Sequence, residues 1–169
     1  LLVPTFSATL QAFWEGITSG VLPGRTAYSV RVLIMGYSAG IALATLLTAC
    51  AVSTRIGTDL LETLSSMFNP LPAIALLPLA LLWFGLGNPS LMFVMVHSVL
   101  WPVALNTHSG FRTVSNTLRM VGQNCGLTGA RYIVKILIPA AFPSILTGLK
   151  IGWAFAWRTL IAAELVFGV

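Results

Sequence analysis

Acidic side chains are scarce in this sequence. Four Asp and Glu stand against nine Lys and Arg in 169 residues, and charged residues make up 8% of the chain, where an ordinary soluble domain carries roughly 25%. So few charges cannot coat a water-facing surface, and the 57% hydrophobic content assigns the chain to a bilayer. The scarcity also narrows the chemistry. Only four acids, Glu15, Asp59, Glu62 and Glu164, and two separated histidines, His97 and His108, are present, which argues against the clustered acids and bases of a membrane enzyme. The two cysteines, Cys50 and Cys125, have neither CxxC spacing nor a His neighbour, which indicates no disulfide framework and no metal site. No Gly-rich loop ending in GKS or GKT occurs, so the chain holds no phosphate cradle with which to hydrolyse ATP. The net charge of +5 is dispersed and forms no basic run, which excludes a groove that tracks nucleic acid.

What is abundant is long apolar sequence. At about 20 residues per crossing, there is room for four or five membrane segments in one all-α domain over residues 1–169. Residues 6–20 place Phe6, Leu10, Phe13, Trp14 and Ile17 at helical spacing, with Ser7 to cap the start and Gly20 to end it, the pattern of a helix lying in the interface. Residues 28–52 form the first crossing, with Arg31 near enough to its end to snorkel. Gly36, Gly40 and Ala44 recur every four residues along it and would let a second helix approach closely. Residues 54–67 carry Arg55, Asp59 and Glu62 and read as a polar connection running into an amphipathic turn. The stretch 69–87 holds Pro70, Pro72 and Pro78; prolines free backbone groups that lipid cannot satisfy, so a protein-packed crossing helix kinked near Pro78 is expected. "GLGNP" makes an uncharged turn, residues 90–107 cross back, and residues 140–160 cross again. The five tryptophans, Trp14, Trp83, Trp101, Trp153 and Trp157, fit interface anchoring or packing, and His97 and His108 fit hydrogen-bonded packing.

Charge asymmetry sets the orientation. Residues 110–138 hold Arg112, Arg119, Arg131 and Lys135 without one acid, whereas the 85–89 turn has no charge. The positive-inside rule then makes the 110–138 loop cytoplasmic and the "GLGNP" turn external. Within the loop, Gly126 and Gly129 give a flexible turn. After it, residues 130–138 form a short amphipathic helix, with Tyr132, Ile133, Ile136 and Leu137 on one side and Arg131 and Lys135 on another. Pro139 bends the entry into the next crossing.

Here the sequence resembles the transmembrane permease subunits of type I ABC importers, in the branch for nitrate, sulfonate and taurine. That family's loop pattern is E-A-A, three residues, Gly, nine residues, I-x-L-P; Gly126 is followed after nine residues by Ile136, Leu137, Ile138 and Pro139. "PLPAIALLPLALLWFGLG", "PAAFPSILTGLKIG" and "LIAAELVFG" resemble other stretches of the branch. The acidic position of the loop pattern falls on Met120, followed by Val121 and Gly122, and Ile138 replaces the usual Leu. The resemblance implies a helical bundle that lacks a helix at each end, with residues 110–139 as a cytoplasmic coupling loop. It further implies a bacterial inner-membrane location, an ABC ATPase subunit that binds the ATP, a periplasmic solute-binding protein and a second permease copy in a homodimer. In that setting Gly126, Arg131, Lys135, Ile136 and Pro139 would meet the ATPase, and the chain itself would be non-catalytic and free of cofactor or metal.

Two intramembrane cations are candidates for a pathway. Lys150 lies eleven residues past Pro139, about 16 Å along a helix, near the middle of the bilayer, where a charge is costly enough to require protein or water around it. Together with Arg158 it would favour a small anion such as a sulfonate or nitrate; a structural or snorkelling role is the rival reading, and for Arg158, near the outer end, the stronger one. A transporter driven by an ion gradient would need midplane acids, and Glu164 alone qualifies. A non-transporting membrane scaffold is the other alternative, because the loop pattern lacks its Glu.

Overall fold

The computed structural model describes residues 4–167, so the ends of the 1–169 domain lie outside the described residues. Among these residues the chain is all helical: α1 (Phe6–Thr18), α2 (Val21–Ser53), α3 (Arg55–Phe68), a 3-10 turn (Ala73–Leu76), α4 (Leu77–Phe84), α5 (Asn88–Arg112), α6 (Asn116–Asn124), α7 (Gly129–Tyr132), a π turn (Ile133–Leu137) and α8 (Ile138–Phe167).

α1 buries no residue and leaves Phe6, Leu10, Phe13 and Trp14 exposed, as a helix lying in the interface would. Its cap is Thr5 rather than Ser7: the Thr5 hydroxyl accepts from the Ala8 amide at 3.4 Å. Gly20 then takes a left-handed conformation at φ 76° and breaks α1 from α2. α2 begins seven residues before the expected position 28, because Pro23 sits in its first turn, where a missing N–H removes no intrahelical bond. Its 33 residues extend about 50 Å, more than the roughly 30 Å of a hydrocarbon core.

Small residues decide how the long helices meet. In lipid there is no hydrophobic drive between helices, so association depends on close van der Waals packing. A Cβ on Gly36 would stand 2.9 Å from Met95 Cβ, and one on Gly40 would stand 2.6 Å from Val99 Cβ. Both contacts advance together, so α2 and α5 run parallel. α8 meets α5 in the opposite sense, with Gly148 against Asn106 and Pro102 and Gly152 against Val103 and Val99. The stripe of Gly36, Gly40 and Ala44 expected from the sequence is therefore the α2 side of the core, which also contains Leu33, Val94, Met95, Val99, Ala156 and Leu160.

Because α2 and α5 are parallel, the chain between them must return to the starting side. It does so in two pieces. Residues 54–67 are not a connection but the body of α3, whose Leu61 and Ser65 are buried. α3 starts beside Ser53, climbs along the bundle, and stacks Phe68 on Trp101 with centroids 5.6 Å apart. There the path bends by 83° before resuming through the 3-10 turn and α4. The break lies at residues 69–72 and not at Pro78. Pro70 and Pro72 sit where neither can donate a helical hydrogen bond, whereas Pro78 occupies the first turn of α4, where proline is tolerated. Among the described residues three helices are long and apolar enough to cross a membrane, and counting the bent pair as one span gives four, within the four to five expected.

One end of the bundle gathers Ser53, Arg55, Arg112, Arg119, Arg131 and Lys135, and is called the basic end below. At the other end Tyr28 of α2 donates its phenol hydrogen to Asn88 Oδ1 at the start of α5.

Candidate functional site

The segment between α5 and α8 is the first candidate site, and nearly all of it is helical. The Ser115 hydroxyl accepts from the Leu118 amide at 3.4 Å and opens α6. α6 then closes with a left-handed Gly126 at φ 66°. Leu127 N–H donates to Gly122 O at 3.0 Å and Gly126 N–H to Gln123 O at 2.9 Å. This pair of bonds is the Schellman arrangement, which needs a residue that tolerates positive φ. Gly126 is thus the residue that stops α6.

Residues 129–138 are not a separate short helix either. α7, the π turn and α8 form one helical run over Gly129–Phe167. Pro139 has no N–H for the carbonyl four residues earlier, and its ring crowds that carbonyl. The wider π turn at Ile133–Leu137 absorbs this just before the proline, which passes into α8 without ending the helix. The two faces expected from the sequence are present. Tyr132, Ile133 and Ile136 are half-buried and Leu137 is buried, whereas Arg131, Val134 and Lys135 are exposed. A Cβ on Gly122 would stand 2.8 Å from the Tyr132 ring and 3.2 Å from Ile136, so α6 lies directly on the apolar side of this run. Met120 and Val121, at the two preceding positions, are exposed. Arg119 holds the joint between α5 and α6, since its Nη2 donates to Phe111 O at 2.7 Å and its Nε to Val114 O at 3.2 Å, satisfying one carbonyl in the last turn of α5 and one in the link that follows it. Arg112 pairs with Glu62 of α3.

The second candidate site lies where the return crossing breaks. A cavity of about 410 Å³ opens between residues 69–74, the middle of α5 and the outer half of α8. Its walls are mainly apolar, supplied by Pro70, Pro72 and Ile74 from the break and by Phe155 from α8. α5 contributes His97, Ser98 and Trp101, and α8 contributes Arg158 and Thr159. The Ser98 hydroxyl is engaged, donating to Met95 O at 2.8 Å. Both ring nitrogens of His97 and Nε1 of Trp101 have no hydrogen-bond partner among the described residues, so His97 is not the hydrogen-bonded packing residue expected, although its ring packs edge-on against Trp101.

The cavity separates the two pathway candidates. Arg158 lines it, the one charged side chain among the described residues to do so. Lys150 is exposed on α8, two residues from Gly152 and so on nearly the opposite face from the α5 seam; it lines no part of the cavity. Periodicity alone gives no sign of this, since residues 69–74 meet Arg158 only through the 83° bend. No group of three or more metal-binding side chains exists among the described residues.

Comparison with known proteins adds an independent line. A family model described as "Binding-protein-dependent transport system inner membrane component" matches residues 36–169. A putative ABC transporter permease protein of Methanocaldococcus jannaschii is 33% identical over 170 residues, covering 98% of this chain and 64% of that protein. A putative aliphatic sulfonates transport permease protein of Escherichia coli is 32% identical over 165 residues, 98% of this chain and 63% of its own length. A nitrate import permease protein of Synechocystis is 31% identical over 169 residues, 99% of this chain and 62% of its own. The chain thus spans a little under two thirds of each of these three relatives.

Proposed function

This chain belongs to the family of binding-protein-dependent transport system inner membrane components, and on that premise we propose that it is the transmembrane subunit of an ATP-driven importer for a small anionic solute such as a sulfonate, taurine or nitrate. The observation that carries the reading is the basic end of the bundle. There α6 and the start of the Gly129–Phe167 run present Met120, Val121, Arg131, Val134 and Lys135 outward, an exposed mixture of apolar and basic groups on a fixed helical frame.

In this reading residues 110–139 are cytoplasmic and dock on an ABC ATPase that binds and hydrolyses the ATP. Gly126 fixes the angle at which α6 ends, Ile136 braces α6 from beneath, and Arg131 and Lys135 meet acidic groups on the ATPase. Pro139, through the π turn, joins that docking frame to α8. A second copy of the chain completes the pathway as a homodimer, and a periplasmic solute-binding protein delivers the solute to the opposite end. Closure of the ATPases moves the docked frame and shifts the bundle between inward-open and outward-open states. Lys150 and Arg158 supply positive charge along the way, and Lys150→Met is expected to abolish uptake while the protein still reaches the membrane.

The deciding experiment uses the thiols, since Cys50 and Cys125 are both free and exposed. With Cys50 changed to Ser, Cys125 in inside-out vesicles is labelled with a membrane-impermeant maleimide, with and without the ATPase. Labelling that the ATPase blocks supports docking at the end of α6. Labelling that the ATPase leaves unchanged removes the coupling claim.

A further inference from the structure

We propose that the cavity at the broken crossing is a binding site for an organic monoanion, which holds its charged head at Arg158 and lays an apolar body along Pro70, Ile74 and Phe155. The inference rests on the transport reading above and assigns that pathway a ligand class.

The charge of the ligand follows from the walls. Arg158 lines the cavity with no acidic residue beside it, and the ion pair formed among the described residues joins Glu62 to Arg112 instead. An arginine facing a largely apolar space favours an anion, and its planar fork suits the oxygens of a sulfonate or carboxylate.

The body of the ligand follows from what the walls lack. A compact inorganic oxoanion such as nitrate exposes acceptors on every side and loses its hydration on entry, with few donors here to replace the water. Proline, isoleucine and phenylalanine side chains replace nothing of that kind, but they do receive methylene groups. The volume, about 410 Å³, is within the range of small-molecule pockets. The break at residues 69–72 is what creates this space, because an unbroken helix from α3 onward would run straight past Trp101.

The test places the permease in phosphatidylcholine nanodiscs and measures binding of methanesulfonate, butanesulfonate and nitrate by calorimetry, with empty nanodiscs as the blank. Affinity is expected to rise about fourfold per added methylene, roughly sixtyfold from methanesulfonate to butanesulfonate, with nitrate weakest. Arg158→Gln should weaken butanesulfonate about tenfold or more, and Arg158→Lys should recover part of the loss. Phe155→Ser should flatten the dependence on chain length, weakening butanesulfonate more than methanesulfonate. Affinity indifferent to chain length, nitrate binding as tight as butanesulfonate, or a lipid acyl chain retained in the cavity by native mass spectrometry would each overturn the proposal. ATP-driven uptake without the chain-length dependence would keep the transport reading and discard the site. Chain-length-dependent binding without uptake would do the reverse.

Discussion

Arg119 donates from Nη2 to the carbonyl of Phe111, and this contact fastens α6 to the last turn of α5. The α5 carbonyls there have no helical donor of their own, and a guanidinium answers both the orphan acceptors and the negative end of the helix dipole. Arg119→Ala is expected to destabilise the joint by about 1.5–3 kcal/mol, the usual worth of a hydrogen bond to a charged group. Faster amide exchange confined to residues 111–124 would register it. Arg119→Lys, with one compact head in place of a fork, should restore only part of the protection.

Gly126 stops α6 at φ 66°. Gly126→Ala forces a Cβ into the left-handed region at a cost of about 1–2 kcal/mol. Thermal unfolding should shift down by a corresponding amount, and ATPase stimulation should fall further than stability does, because the angle of the docking frame changes with the turn.

The α2 and α5 backbones approach over Gly40, where an added Cβ would meet Val99 Cβ at 2.6 Å. Gly40→Leu is expected to cost about 1–3 kcal/mol or more through overpacking. Loss of a monodisperse peak in detergent would show it, while Gly24→Leu, at a position with no atom within 4 Å of the added carbon, should leave the peak intact.

Arg131 and Lys135 are exposed, so reversing both to Glu should change stability by less than about 0.5 kcal/mol. If their partner is an acidic surface, the same double reversal should reduce ATPase stimulation about tenfold. Met120→Glu is the complementary test. It places an acid at an exposed position where the related loop pattern has one, and stronger stimulation at unchanged stability is the expected result.

The sequence shows some of this arrangement directly and hides the rest for identifiable reasons. The stripe Gly36, Gly40, Ala44 is legible because helical spacing and the preference for small residues at close seams act on one helix alone. So are the two faces of the run around Tyr132 and Lys135. The break at residues 69–72 is less so, since three prolines offer three places to bend and only packing against Trp101 selects among them. α3 reads as a connection because Arg55, Asp59 and Glu62 lower its apolar content, yet Leu61 and Ser65 face the bundle. Arg158 is least legible of all. Its place on the cavity depends on residues some ninety positions earlier, brought over by the bend in the return crossing.

The uninterrupted run Gly129–Phe167 has a mechanical meaning. Lys135 at the basic end and Arg158 on the cavity wall are 23 residues apart in sequence, roughly 35 Å along one helix. No loop between them can absorb motion by unfolding or flapping. In the proposed coupling, the docking frame and the wall of the cavity would be two ends of a single crank, with the π turn at Ile133–Leu137 setting the angle of its handle.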